Sequence, residues 1–220
     1  THEDEKALTN MKHLHDMWLE HGERTPEDIT DLAALFAITS RGGIMNREHE
    51  QNFPKVVDWY YSPERDPARL RRGVMGVGRG SEQGWRTFES SKKALREAIL
   101  RHGPDGGDAI REDLHKHPEF KGLGPAKLGF TQMLAGIGGA SCLDRRMHRY
   151  LLHLPKLDKT EHREHLGDAI HTRLAKNLGL YKAVEEHLRN TPAWSIAKEK
   201  VRRLGLPKSF LFPAAQWAAF

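Results

Sequence analysis

Apolar residues recur every three to four positions along most of this chain, a spacing typical of amphipathic helices. Residues 94–99 hold an apolar stripe above a charged face, and residues 166–178 hold another. Gly179 is expected to follow that second helix as its C′ residue, and Asp31 is expected to cap an apolar helix that runs to Ile38. No segment alternates convincingly between apolar and polar residues. The pattern therefore predicts an all-α fold.

Short breaks rich in glycine and proline separate the predicted helices. They fall at residues 62–67, 73–84, 103–107, 136–140 and 204–207. These breaks have the length of loops, and the sequence contains no internal repeat. We predict one helical body with two lobes: a central lobe of residues 31–149, and a terminal lobe in which residues 1–30 pack with residues 150–220.

Composition narrows the class of protein. A chain of 220 residues can bury a substantial core, and its single Cys142 excludes a disulfide framework, a four-cysteine zinc site and a cysteine-ligated iron–sulfur cluster. No apolar run reaches the roughly 18–20 residues that cross a bilayer, and the first residues, THEDEK, do not resemble a signal peptide. The fourteen histidines show no metal-ligand spacing. We expect an intracellular protein, in the cytoplasm, nucleoid or nucleus, with no cofactor, no metal and no membrane partner.

The charges are distributed unevenly along the chain. Residues 1–31 carry nine acids and three bases, whereas residues 69–103 carry nine bases and three acids. Residues 121–149 carry five bases and one acid. The excess of positive charge in the middle of the chain favours an anionic partner. Solvated helix faces whose opposite charges balance within the fold would give the same counts.

The candidate chemistry is concentrated in residues 108–144. A predicted helix, from about Asp108 to His117, leads into a Gly122-Leu123-Gly124 hairpin in which glycine permits a positive φ. Pro125 suits the first position of the next helix, whose apolar stripe is Phe130, Met133, Leu134 and Ile137. This helix–hairpin–helix, at about residues 108–137, would present amide groups to a phosphate, with Lys121 and Lys127 supplying charge beside it.

The sequence resembles the helix–hairpin–helix (HhH-GPD) DNA glycosylase superfamily. The family pattern is a Gly-apolar-Gly hairpin, a helix, a Gly/Pro-rich loop and then an aspartate, and Gly122, Gly124, residues 136–140 and Asp144 stand at those places. The resemblance covers roughly residues 30–150. It implies two helical lobes that flank a DNA-binding cleft, and an enzyme that excises a flipped-out base. We expect a monomer whose partner is double-stranded DNA.

The resemblance assigns catalysis to Asp144. Cleaving a base from its sugar builds positive charge on the deoxyribose, which a carboxylate can stabilise while it orients or deprotonates water. An aspartate before a helix can also serve as a plain cap. Bifunctional members carry a Schiff-base lysine where this chain has Ala126, and Lys127 follows it, rotated by about 100° on the helix. Water is the favoured nucleophile, and Lys127 as an amine nucleophile stays open.

Further residues are expected to contact DNA. The predicted contacts are Lys121, Gly122, Leu123, Gly124, Lys127, Arg145 and Arg146. A flipped-out base needs polar groups that recognise it and an aromatic platform on which it stacks. The candidates are Ser40, Arg41, Asn46 and Gln51, with Trp85 or Trp217 as the platform, although core packing is the commoner role of an aromatic residue.

Two other functions remain open on the same sequence. In a DNA base-modifying transferase of the kind encoded by phages, Asp144 would deprotonate an amine that attacks an activated thymine derivative, and the glycosidic bond would survive. A non-catalytic DNA-binding module would need only the hairpin and its positive charge. The three functions differ in the product that they leave on DNA.

Overall fold

A computed structural model of the chain describes residues 2–20, 28, 30–31, 54, 57–64, 92–117, 124–143, 147, 173–174 and 176–219. Residues 92–102 are helical, and the other elements are α1 (His2–Glu20), α2 (Gly107–Lys116), α3 (Pro125–Leu134), α4 (Leu178–Arg189), α5 (Pro192–Leu204), a 3₁₀ turn (Lys208–Phe210) and α6 (Leu211–Ala218). None of the described residues lies in a strand. The predicted all-α class is therefore confirmed for this part of the chain.

The predicted breaks that can be examined are loops or turns. At the end of α5, Gly205 adopts φ 67° as the C-cap, and the Leu206 amide donates to the Val201 carbonyl over 3.0 Å. A left-handed glycine closed by such a bond is the usual way to end a helix. The break predicted at residues 204–207 is confirmed.

The C-terminal helix α6 lies at the centre of the described core. It contacts α1, α4 and α5, and it buries Phe212, Ala214 and Ala215 almost completely. The His15 ring of α1 meets Phe210 edge-on, with 5.8 Å between ring centroids. One hydrophobic cluster contains residues from both predicted lobes, including Leu143 of the central one. The described parts of the two lobes therefore share a core.

Two local predictions are wrong. Gly179 does not end a helix, because Asn177 caps the start of α4 by accepting a 3.1 Å hydrogen bond from the Leu180 amide, and Gly179 lies in the first turn. Asp31 is not a helix cap, since Thr30 and Asp31 are themselves helical. Asn177 caps through a polar side chain, and Asp31 is buried against polar partners. The spacing of apolar residues predicts neither kind of contact.

Asp31 instead joins a buried polar cluster. Its carboxylate accepts from Arg96 Nε over 2.9 Å, forms a second bond with Arg96 Nη2, and lies 3.1 Å from the Tyr60 hydroxyl. Burial, together with the charges and hydrogen bonds of Asp31 and Asp28, raises the pKa of Tyr60. The cluster ties helical residue 31 to helical residues 60 and 96.

A buried ion pair joins α2 to α4. Arg111 Nη1 and Nη2 donate to the two carboxylate oxygens of Glu185 over 2.7 and 2.8 Å, and both side chains are at least 97% buried. Arg111 also donates to Asp108 over 2.7 Å, and its guanidinium lies 4.7 Å from the centre of the Tyr181 ring. Burial lowers the pKa of Arg111, but the bonds and charges of Glu185 and Asp108 outweigh it and raise that pKa overall. The guanidinium of Arg111 therefore stays protonated in the folded protein.

Within the described ranges, no helix is both long enough and apolar enough to cross a membrane.

We expect Arg111→Met to lower the free energy of unfolding by about 3–5 kcal/mol, because Glu185 would stay buried without its cation. Chemical denaturation measures this change. The matched control is Lys182→Met, which breaks a more exposed α4–α2 ion pair with Glu112 and should leave the denaturation midpoint almost unchanged. Equal losses in the two variants would contradict the importance of the buried pair.

Candidate functional site

The two helices of the predicted helix–hairpin–helix are present and touch each other. The expected helix at about residues 108–117 is α2, and Pro125 is the first residue of α3, as predicted. The stripe of α3 is buried as expected at Phe130, Met133 and Leu134. Lys121, Gly122 and Leu123 lie outside the described residues, so the hairpin itself stays a prediction.

The N-terminus of α3 has a free approach among the described residues. Gly124 is its N-cap with φ −65°, so it does not adopt the positive φ that the hairpin was expected to need. A Cβ on Gly124 would meet no atom within 4 Å. Pro125 has no amide proton, and the next two amides of a helix have no acceptor within it. The described fold does not require glycine at residue 124, and free amides of this kind are the groups that bind anions at helix N-termini.

Lys127 lies in the first turn of α3, but its side chain is outside the described part of the chain. Its two predicted roles, phosphate contact and amine nucleophile, therefore stay predictions.

The glycine-rich loop after α3 packs against the start of α2. The Gly107 amide donates to the Gly138 carbonyl over 3.0 Å, and the Gly138 amide donates to the Pro104 carbonyl over 2.7 Å. Gly139 adopts φ 91°, where a side chain would be strained. The loop thereby supplies an acceptor to the first residue of α2, which has none within its helix. Its conformation is fixed by both neighbouring segments.

Beyond this loop, the chain runs through Ser141, Cys142 and Leu143 without helix or strand. Glu185 Oε1 accepts from both the backbone amide and the hydroxyl of Ser141, each over 2.7 Å. Gln216 of α6 accepts from the Cys142 amide over 3.1 Å and donates to the Cys142 carbonyl over 2.8 Å. Side chains of α4 and α6 thus satisfy backbone groups that secondary structure would otherwise pair.

The same segment crosses α3 at very close range. A Cβ on Gly129 would overlap the Ser141 carbonyl oxygen, so only glycine permits this approach. Ser141 and Leu143 are fully buried, and Met147 is also buried. The segment is therefore enclosed by α3, α4 and α6 immediately before residue 144.

The remaining predicted site residues are mostly outside the described ranges. Trp217 is an exception: it lies on α6, partly buried against the hydrophobic cluster, as a core residue would. The proposed roles of the others, like the cleft, stay predictions. They are Asp144, Arg145, Arg146, Ser40, Arg41, Asn46, Gln51 and Trp85.

Sequence reasoning missed Arg111 and Glu185, and it considered Gln216 only beside Trp217 as part of a platform for the base, whereas Gln216 binds the backbone of Cys142. A usable signal was present at Glu185, an acid within the apolar stripe of Tyr181, Val184 and Leu188. Gln216 similarly interrupts an apolar run at the C-terminus. A polar residue at a position that periodicity predicts to be buried indicates a specific buried partner.

We expect Gly129→Ala to destabilise the fold by about 1–3 kcal/mol, because its Cβ must displace the Ser141 backbone. Gly124→Ala is the matched control, because Gly124 is the N-cap of the same helix and a Cβ there would meet no atom within 4 Å. Its weaker capping is offset by the lower entropy of the unfolded chain, so its stability should stay close to wild type. Urea denaturation compares the two, and a tolerated Gly129→Ala would contradict the close contact.

Comparisons of the chain with protein-family models, with curated proteins and with solved structures find no significant match. The assignment of a function therefore depends on the residues and contacts of this chain.

Proposed function

We propose that the protein is a DNA glycosylase-like enzyme that hydrolyses the bond between a flipped-out, damaged or modified base and its deoxyribose, with Asp144 as the catalytic carboxylate. The observation that carries the proposal is the segment Ser141–Leu143, which Glu185 and Gln216 hold by four hydrogen bonds directly before Asp144. Burying a polar side chain costs desolvation free energy, so two such side chains are rarely spent on a loop that has no function.

The placement of the two candidate elements supports the same function. Ser141 contacts α3 at Gly129, about 7–8 Å along the helix axis from Gly124 at 1.5 Å per residue. The segment that leads to Asp144 therefore crosses α3 only a short distance from the N-terminus of that helix. A phosphate bound at α3 would leave the adjoining nucleotide within reach of a carboxylate carried by this segment.

The proposed chemistry uses one carboxylate and one water. As the bond from the base nitrogen to C1′ breaks, its electron pair leaves with the base and positive charge develops on the sugar, which ionised Asp144 stabilises. Water then forms the new bond to C1′ and gives up a proton to Asp144, and that proton passes on to the departed base, which leaves an abasic site, the neutral free base and an ionised Asp144. Because Ala126 stands where bifunctional enzymes carry their Schiff-base lysine, we assign Lys127 to the phosphate and propose no covalent intermediate.

The function is tested by incubating the protein with duplexes that each carry one modified base. Release of the base with formation of an abasic site supports the glycosylase. A mass change on a base that stays attached favours the base-modifying transferase, and unchanged DNA that is nevertheless bound favours a DNA-binding module. Trapping of the wild-type protein on DNA by borohydride would show a Schiff base, and would replace the water mechanism by one that uses Lys127.

We expect Gly124→Ala to bind duplex DNA about ten-fold or more weakly at unchanged stability, because its Cβ stands between the α3 amides and a phosphate. Lys127→Ala should reduce the slope of log K against log salt by roughly one unit and weaken all duplexes alike. Fluorescence anisotropy at several salt concentrations measures both effects. Wild-type affinity and slope in both variants would remove α3 from the DNA interface.

Asp144→Asn keeps the size of the side chain but removes its charge, so we expect single-turnover base release to slow by a factor of about 10²–10⁴. DNA affinity should hold or rise slightly, because a negative charge near phosphates is lost. Normal base release by this variant would exclude Asp144 from catalysis and return the protein to the class of binding modules.

A further inference from the structure

We propose that Gln216 is a positioning residue for Asp144: its side-chain amide pairs with both backbone groups of Cys142 and so fixes the direction in which the chain enters residue 144. The inference rests on the proposed function and adds a residue from the distant end of the chain to the site.

Gln216 is a polar side chain at a buried position, where its desolvation costs free energy. It is 95% buried on a helix whose neighbouring side chains include Phe212, Ala214 and Ala215. Burying a primary amide is costly unless its donor and acceptor are both satisfied, and an apolar residue would serve the core without that cost. Cys142 satisfies both groups, at 3.1 Å for the bond to Oε1 and 2.8 Å for the bond from Nε2. The glutamine therefore serves the backbone of Cys142.

Two opposed hydrogen bonds restrain more than a single bond does. One bond fixes a distance, whereas a pair to the N–H and C=O of one residue also fixes the orientation of the peptide groups on both sides of it. Glu185 restrains Ser141 differently, because one of its oxygens accepts from both the amide and the hydroxyl of that residue, so consecutive residues are held from α4 and α6. The last residue before Asp144, Leu143, is fully buried.

Gln216 is the better residue to test, because Glu185 also neutralises buried Arg111. Replacing Glu185 removes the ion pair and the loop contact together, whereas Gln216 is neutral and its loss leaves no buried charge unpaired. A misplacement of a catalytic group by about 1 Å can cost on the order of 10²-fold in rate. A positioning role therefore predicts a large effect on chemistry and a small one on DNA binding.

The test compares Gln216→Leu with Gln132→Leu on a duplex that the wild-type protein processes. Gln132 is also a fully buried glutamine, but its Nε2 donates to the Gly107 carbonyl over 3.1 Å, outside residues 141–143. We expect Gln216→Leu to lower the single-turnover rate by about 10²-fold with its DNA Kd within about two-fold of wild type. Gln132→Leu should keep most of its rate.

Gln216→Glu provides a rescue that a purely structural role would not show. A neutral carboxyl group donates one bond and accepts another, as the amide does, whereas the ionised group only accepts and opposes the Cys142 carbonyl. The rate of this variant relative to wild type should therefore rise as the pH falls through the pKa of the new carboxyl group.

The single cysteine gives a readout that needs no enzyme activity. Cys142 is half-buried, so labelling of its thiol by a disulfide reagent reports opening of this segment. Gln216→Leu should label faster than wild type, and Gln132→Leu should label at nearly the wild-type rate. Unchanged labelling in Gln216→Leu would overturn the restraint.

The failures of the two proposals are distinguishable. A normal rate in Gln216→Leu beside an inactive Asp144→Asn overturns the role of Gln216 and leaves the glycosylase function standing. A wild-type protein that releases no base from any duplex overturns the function and the positioning role together.

Discussion

The buried ion pair between Arg111 and Glu185 is the interaction on which the described fold and the candidate site both depend. Two charges removed from water are costly, and the cost is offset only when the geometry is good and the remaining lone pairs are used. Here the guanidinium binds both carboxylate oxygens, and one of those oxygens also accepts two bonds from Ser141. The contact that joins α2 to α4 is therefore also the contact that holds the segment before Asp144.

This sharing of one carboxylate links two parts of the proposed mechanism. α2 leads to the hairpin that we expect to bind DNA, and Ser141 leads to the carboxylate that we expect to act on the sugar. Glu185 holds both α2 and Ser141 to α4, so one side chain links the described elements that lead to these two predicted sites. Gln216 is neutral and restrains the residue after Ser141, which is Cys142. The geometry of the site can therefore be changed at Gln216 without breaking the ion pair that stabilises the fold.

The sequence predicted the local parts of this arrangement well. The stripe of α3, the proline at its start and the glycine-rich loop after it all follow from neighbours within a few residues. Asn177 and Asp31 show where that reasoning fails, because a side-chain cap and a buried charge override the apolar pattern. The roles of Glu185 and Gln216 could not be predicted from local patterns for a related reason. Glu185 binds Arg111 and Gln216 binds Cys142, and each partner lies 74 positions away along the chain. The only sequence signal for their buried contacts was a polar residue at a position where the pattern predicts an apolar one.

A crystal structure of the protein with a duplex that contains a stable abasic-site analogue tests the central claim most directly. The account predicts an Asp144 carboxylate oxygen within about 3.5 Å of the sugar carbon that stands for C1′, with a neighbouring phosphate on the N-terminal amides of α3. A duplex that binds elsewhere, or an Asp144 that points away from the abasic sugar while residues 141–143 keep their contacts with Glu185 and Gln216, would contradict it.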